Sequence, residues 1–157
     1  IRGMKVKILV ATQGGTADLC AQEMVDVLED RGYEAEATLM GDFGLEVFDD
    51  GGHVIICTAT YGYGEIPDNG TEFYEALVSE KPDLARVSFA VFGLGDTTYE
   101  DTFNFAGEKF DAILSECGAE RVIERHIHDA NSGALAEDEA IEWIEGWLGA
   151  LEAKAAA

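Results

Sequence analysis

Basic side chains are scarce in this chain: ten lysines and arginines stand against 32 acids over 157 residues, for a formal net charge of −22. A field of that sign repels nucleic acid and anionic membrane surfaces, and it favours a basic protein partner through electrostatic steering. An organism-wide acidic habit, such as salt tolerance, gives the same composition, and both readings of the charge stand. Cysteine is rare as well. Cys20, Cys57 and Cys117 are odd in number, widely spaced and set in apolar stretches, with no C-x-x-C anywhere. That pattern excludes a disulfide framework and a zinc site, and reads as reduced core thiols of a cytoplasmic protein. No run approaches the ~18 apolar residues of a membrane span, and no signal peptide precedes Met4. Residues 1–3 and 154–157 are set aside as appended residues, which leaves 4–152 as one domain.

Against these absences stands a hydrophobic content of 47%, enough for a full core. The apolar pattern alternates between strand and helix along the whole length. Residues 5–11 are aliphatic on both faces from Ile8 on, as in a strand buried within a parallel sheet. Ala17, Cys20, Ala21, Met24, Val25 and Leu28 then form one helical stripe, closed by Gly32. A more polar strand over 34–39 belongs near an edge, and the Gly- and Asp-rich stretch 41–52 is weakly structured. Strands follow at 53–58, 87–93 and 121–128. Between and after them come helices with apolar faces at Phe73, Tyr74, Leu77 and Val78, at Ala106, Phe110, Ile113, Leu114 and Cys117, and at Ala140, Ile141, Ile144, Trp147, Leu148 and Leu151. Five strands alternating with helices predict a doubly wound α/β three-layer sandwich with a five-stranded parallel sheet.

In such sheets ligands bind beyond the carboxyl ends of the strands. Three loops emerge there: 12–17, 59–70 and 94–102. The first, Thr12-Gln13-Gly14-Gly15-Thr16-Ala17, joins a strand to a helix with two hydroxyls and two glycines, a cradle for a phosphate at a helix N-terminus. No Lys or Arg occurs from Ile8 through Asp30, so dipoles and hydroxyls must do the holding. This excludes the P-loop, and the sequence is not the G-x-G-x-x-G of dinucleotide sites. The other two loops carry Thr60, Tyr61, Gly62, Tyr63 and Gly64, and Leu94, Gly95, Asp96 and Tyr99. They offer aromatic rings, flexible glycines and acids, but no nucleophile–His pair and no metal cluster. Two aromatic loops above a phosphate cradle suit a flat phosphorylated heteroaromatic ligand, and flavin mononucleotide (FMN) fits that description.

Thr-x-Gly-Gly-Thr-Ala, Ala-Thr-Tyr-Gly-x-Gly-Glu and Gly-Leu-Gly-Asp-x-x-Tyr-Glu, in that order, resemble the phosphate loop and the two ring-clamping loops of flavodoxins and of the FMN domains of diflavin reductases. The stretch from Ile66-Pro67-Asp68-Asn69 to Lys81-Pro82-Asp83-Leu84 is especially similar to short-chain, MioC-like flavodoxins. The resemblance implies strand order 2-1-3-4-5 and FMN as cofactor. By position, Thr12, Gln13, Gly14, Gly15, Thr16 and Ala17 would bind the phosphate, and Tyr61 and Tyr99 would cover the two ring faces. The Gly62 carbonyl would accept a hydrogen bond from flavin N5–H after one-electron reduction, with Thr60, Tyr63 and Gly64 beside it. Leu94, Gly95 and Asp96 would line the polar edge of the ring, and Asp129 matches an acid near the flavin. Tyr63 stands where many relatives have Glu. Between Tyr99 and the Phe103-Asn104 pair the chain has one residue more than the diflavin pattern, so roles for Glu100 and Asp101 do not transfer.

The implied function is a one-electron carrier between a basic-surfaced flavoprotein reductase and an acceptor such as biotin synthase or a haem monooxygenase, with no turnover of its own. Glu65, Asp68, Asp96, Glu100 and Asp101 would form its docking rim. Rival readings are the FMN domain of a diflavin reductase, a flavin or quinone reductase, and a phospho-accepting signalling domain. The last needs an acid at the end of the first strand, where this chain has Ala11-Thr12-Gln13. His126 and His128 share a strand face and could suggest a metal, but only Asp129 adjoins them in sequence.

Overall fold

The structure is a computed structural model that describes residues 5–12, 14–60, 66–95, 105–130 and 132–156. Strands β1 (Lys5–Ala11), β2 (Glu34–Leu39), β3 (Gly52–Ala59) and β4 (Val87–Gly95) alternate with helices α1 (Thr16–Asp30), α2 (Asp68–Glu80) and α3 (Phe105–Glu116). Two short strands follow, β5 (Glu120–Arg121) and β6 (His126–Asp129), and α4 (Ala136–Ala156) ends the chain. All pairings are parallel, in the order β2-β1-β3-β4-β5, with β6 also on β4.

Residues one apart on a strand face opposite sides of the sheet, and the core divides accordingly. Val6, Ile8, Val10, Ile55, Cys57 and Phe92 pack against α1 and α4. Leu9, Ala11, Val54, Ile56, Phe89 and Val91 pack against α2 and α3. Both faces are therefore buried, which is why β1, β3 and β4 read as continuous aliphatic runs rather than alternating ones.

The expected fold class holds, with local differences. One fifth strand was expected over 121–128, but the chain breaks it in two. From Phe89 to Phe92 strand β4 advances three residues, while the facing chain advances five, from Arg121 to His126. The two extra residues form a bulge, a device that suits an edge strand. Asp111 of α3, fully buried, bridges the break: Arg121 donates to its Oδ1 at 2.9 and 2.7 Å, and Arg125 to its Oδ2 at 2.7 Å. Within 41–52 the structure forms a 3-10 turn, Leu45–Phe48, whose Phe48 is buried against Phe73. Of the residues expected on the inner face of α2, Phe73 and Leu77 are buried, whereas Val78 is exposed. Strand β4 runs two residues beyond the expected 93, because Leu94 and Gly95 still find partners in Ala59, His128 and Asp129.

Candidate functional site

The carboxyl ends of β1, β3, β4 and β6 bring together the first loop, the ends of the second and third, and Asp129. Gln13, Tyr61, Gly62, Tyr63, Gly64, Asp96 and Tyr99 lie outside the described residues, so the ring-clamping roles expected of them carry no geometry here. The rim acids Glu65, Glu100 and Asp101 also fall outside.

The phosphate loop is largely described. Gly15 takes φ +89°, a left-handed conformation that favours glycine, and turns the chain directly into α1. Thr12 Oγ1 accepts the Gly15 N–H at 2.9 Å, which closes the loop on itself and leaves the hydroxyl proton to donate outward. Thr16 begins α1 and is exposed, whereas the Ala17 side chain is buried and its carbonyl accepts the Cys57 thiol at 3.2 Å. Ala17 can therefore contribute its N–H alone. No side chain caps α1 among the described residues, and the first intrahelical bond is Leu19 N–H to the Gly15 carbonyl at 3.1 Å. The first-turn amides ahead of it remain for a ligand. Among the described residues, a β-carbon built on Gly14 or Gly15 meets nothing within 4 Å. A helix end without a side-chain cap among the described residues, beside two hydroxyls, fits a phosphate group.

Thr60 joins the second loop to the third. Its N–H donates to the Leu94 carbonyl at 2.9 Å, and its Oγ1 accepts the Ala106 N–H at 3.3 Å. Leu94 is buried and Gly95 half-buried. Asp129 lies opposite Gly95 in register, and the Gly95 carbonyl accepts the Ala130 N–H at 2.9 Å. His126 and His128, the strand-face pair, both bond Glu139 of α4: His126 Nε2 to Oε1 at 2.9 Å, and His128 Nδ1 to Oε2. Burial pushes the Glu139 carboxyl up, but the two histidines outweigh it and hold it below the ordinary range. Glu139 is ten residues beyond Asp129 and on another element, so spacing gave no sign of this partnership.

Beneath the site the thiols are quiet. Burial, helped by the charges of Glu137, Glu139 and Glu23, pushes Cys20 up to about 12, and burial also raises Cys57 well above its ordinary range. A cleft of about 470 Å³ lined by residues that include Leu45, Phe48, Pro82 and Arg86 lies at the amino end of β4, away from these loops.

A parallel sheet wound on both faces, with its long loops gathered at its carboxyl edge, defines a doubly wound α/β protein. The chain belongs to the flavodoxin family, which matches residues 8–143. It is 37% identical over 142 residues to protein MioC of Escherichia coli strain K12, covering 90% of this chain and 94% of that one. It is also 33% identical to the flavoprotein alpha-component of the NADPH sulfite reductase of Mannheimia succiniciproducens, over 98% of this chain but 25% of that protein. Among solved structures, a cysteine-to-alanine mutant of the Pseudomonas aeruginosa flavodoxin superposes with a TM-score of 0.85 at 30% identity, over 95% of this chain and 99% of the other. Flavodoxins are FMN-bearing electron carriers, and that is the class of function this chain has.

Proposed function

We propose that this chain is a one-electron carrier, its FMN domain spanning 4–152, that takes electrons from a basic-surfaced reductase and hands them to an acceptor enzyme. Bound FMN supplies the redox chemistry. The chain's own residues do the rest. Thr12 and Thr16 donate hydroxyl hydrogen bonds to the phosphate, the amides of Gln13, Gly14, Thr16 and Ala17 surround it, and the α1 N-terminus adds its partial positive charge. Tyr61 and Tyr99 cover the ring, and Gly62 offers a carbonyl to it. Thr60, Tyr63, Gly64, Leu94, Gly95, Asp96 and Asp129 border it. The observation that carries this reading is the base-free turn from Thr12 into α1, whose helix end has no side-chain cap among the described residues.

The placement of charge supports a docking role for the same end of the molecule. Lys5 and Lys7 begin β1, Arg31 follows α1, Lys81 follows α2, Arg86 precedes β4, Arg121 lies in β5 and Lys154 in the last turn of α4. These seven of the nine described basic residues stand towards the end of the sheet opposite the loops; the other two, Lys109 and Arg125, lie within α3 and just before β6. The site end is left strongly acidic, and it also exposes Leu19, Leu39, Phe105 and Leu135. Such a face steers a basic partner and gives it apolar contacts once docked. The acceptor could be biotin synthase or a haem monooxygenase. Three free, buried thiols fit a reducing cytoplasm.

The FMN-loaded protein should oxidise NADPH negligibly by itself, and should reduce cytochrome c, a basic acceptor, once a flavoprotein reductase is added. That rate should fall as salt is raised from about 50 to about 500 mM. Rapid NADPH oxidation without a reductase would instead make it a flavin or quinone reductase. The match to a quarter of the sulfite reductase flavoprotein favours a second reading, an FMN domain of a diflavin reductase. Under that reading, electron delivery in trans would be slow at every ionic strength.

A further inference from the structure

Asn69 stands in the first turn of α2, within Asp68-Asn69-Gly70, a run of weak helix formers. Its side chain bonds the backbone of three other positions. Oδ1 accepts the Thr12 N–H at 3.0 Å, while Nδ2 donates to the carbonyls of Val10 at 3.0 Å and Met40 at 3.1 Å. One oxygen facing an N–H and one NH2 facing two carbonyls fix the orientation of the amide. The surroundings hold its backbone as well. A β-carbon on Gly70 would sit 3.0 Å from Ala11 Cβ and Ile66 Cγ2, and one on Gly41 would meet the Asn69 carbonyl at 3.4 Å.

These bonds fall where the sheet ladder stops. Pairing of β1 with β2 ends at Val10↔Leu39, and with β3 at Ala11↔Thr58. Thr12 is thus the first residue past the ladder, and Asn69 supplies the partner its amide would otherwise lack. Thr12 in turn closes onto the Gly15 N–H at 2.9 Å. A continuous chain of bonds therefore runs from α2 through Asn69 and Thr12 to the left-handed glycine that starts α1.

We infer that Asn69 is the positioning residue of the phosphate loop: by tying the Thr12 amide to α2 it sets the angle at which residues 12–17 leave β1 and present their hydroxyls and amides. This rests on the reading of that loop as the FMN phosphate site. The Asn69 amide directs its hydrogen bonds to the backbone of Thr12, Val10 and Met40, so its role is exerted through Thr12. Asn69 also lies in the first turn of α2, so the tie joins that helix to the carboxyl end of β1.

The test uses two ligands that share a ring and differ in the phosphate, FMN and riboflavin, titrated against flavin-free full-length protein. N69A should weaken FMN binding roughly tenfold to hundredfold, the effect of stranding buried backbone groups on a binding constant, and change riboflavin binding less than about threefold. N69D keeps an oxygen facing the Thr12 N–H but turns the other against the Val10 and Met40 carbonyls and adds a charge near the phosphate, so its FMN affinity should fall at least as far as that of N69A. Parallel loss of FMN and riboflavin in N69A, or loss of neither, overturns the inference. A parent protein that binds riboflavin as tightly as FMN overturns the phosphate site itself, and the inference with it. If neither variant folds, amide exchange in the parent decides. Protection of the Thr12 N–H supports the tie, and exchange at the rate of an open loop refutes it.

Discussion

Removing Arg121 and Arg125 together should cost the fold more than removing Asp111, the acid they share. The asymmetry follows from burial. The Asp111 side chain is 2% exposed, whereas those of Arg121 and Arg125 are 43% and 37% exposed. An ordinary exposed ion pair contributes about 0–1 kcal/mol, because both charges rehydrate when it is broken. Here the arginines can rehydrate and the carboxylate cannot. D111A therefore loses charge-assisted hydrogen bonds, about 1.5–3 kcal/mol, and frees two cations into water. The double variant R121M/R125M keeps the aliphatic stems but strands a buried charge, at about 3–5 kcal/mol. Urea unfolding of the flavin-free protein, followed by tryptophan fluorescence, measures both. At about 2–4 °C per kcal/mol for a chain of this size, thermal melts should separate them too. A D111A loss equal to or larger than that of the double variant would refute the reasoning, and so would losses under about 0.5 kcal/mol for both.

Three further predictions concern other parts of the same frame. G70A places a β-carbon 3.0 Å from Ala11 Cβ and Ile66 Cγ2 and 3.1 Å from Met40 Sδ, and overpacking of that kind should lower stability by about 1–3 kcal/mol in urea unfolding. With Cys20 pushed up to about 12 and Cys57 raised by complete burial, a thiol-specific dye should leave both unlabelled in the folded protein at about pH 8, and should label all three cysteines in urea. Acid should destabilise the protein in two stages. Burial depresses His53 below 6.5, so its contribution is present above 6.5 and lost as pH falls towards its folded value. Glu139, held below 4.5 by His126 and His128 against its burial, contributes above 4.5 and loses that contribution at lower pH. H53Q should remove the first stage and E139Q the second in pH-dependent urea midpoints. An unchanged profile in either variant contradicts the corresponding assignment.

How far these features could be read from the sequence depended on whether their cause is local. Strands β1, β3 and β4 are buried on both faces, so unbroken aliphatic runs announced them, and the stripe from Ala17 to Leu28 announced α1. Gly32 and Gly118 sit at φ +88° and +95°, as their place after a helix implied. The first loop was legible because a turn from strand to helix requires its glycines and threonines in sequence. Contacts set by distant partners were not legible. The break in the fifth strand is bridged by Asp111 reaching Arg121 and Arg125 from α3, and nothing in residues 121–128 by themselves names that partner. Asn69 was visible within a family-like stretch, yet its bonds go to Val10, Thr12 and Met40, which the fold brings together and the chain does not. The same holds for Glu139 and the two histidines. A weak helix former in the first turn of α2 was the one local hint that tertiary structure holds Asn69 in place.

In the proposed complex, a turn without any basic side chain grips the FMN phosphate inside a strongly negative protein. Titrating flavin-free protein with FMN at about 20 mM and about 500 mM salt, following quenching of flavin fluorescence, tests it most directly. Ionic grips weaken as salt screens them, whereas a grip made of amides and hydroxyls is opposed by a repulsive field that salt relieves. The account predicts one FMN per chain, bound at least as tightly at high salt as at low. A protein that takes up no FMN, or whose affinity collapses as salt rises, would contradict it.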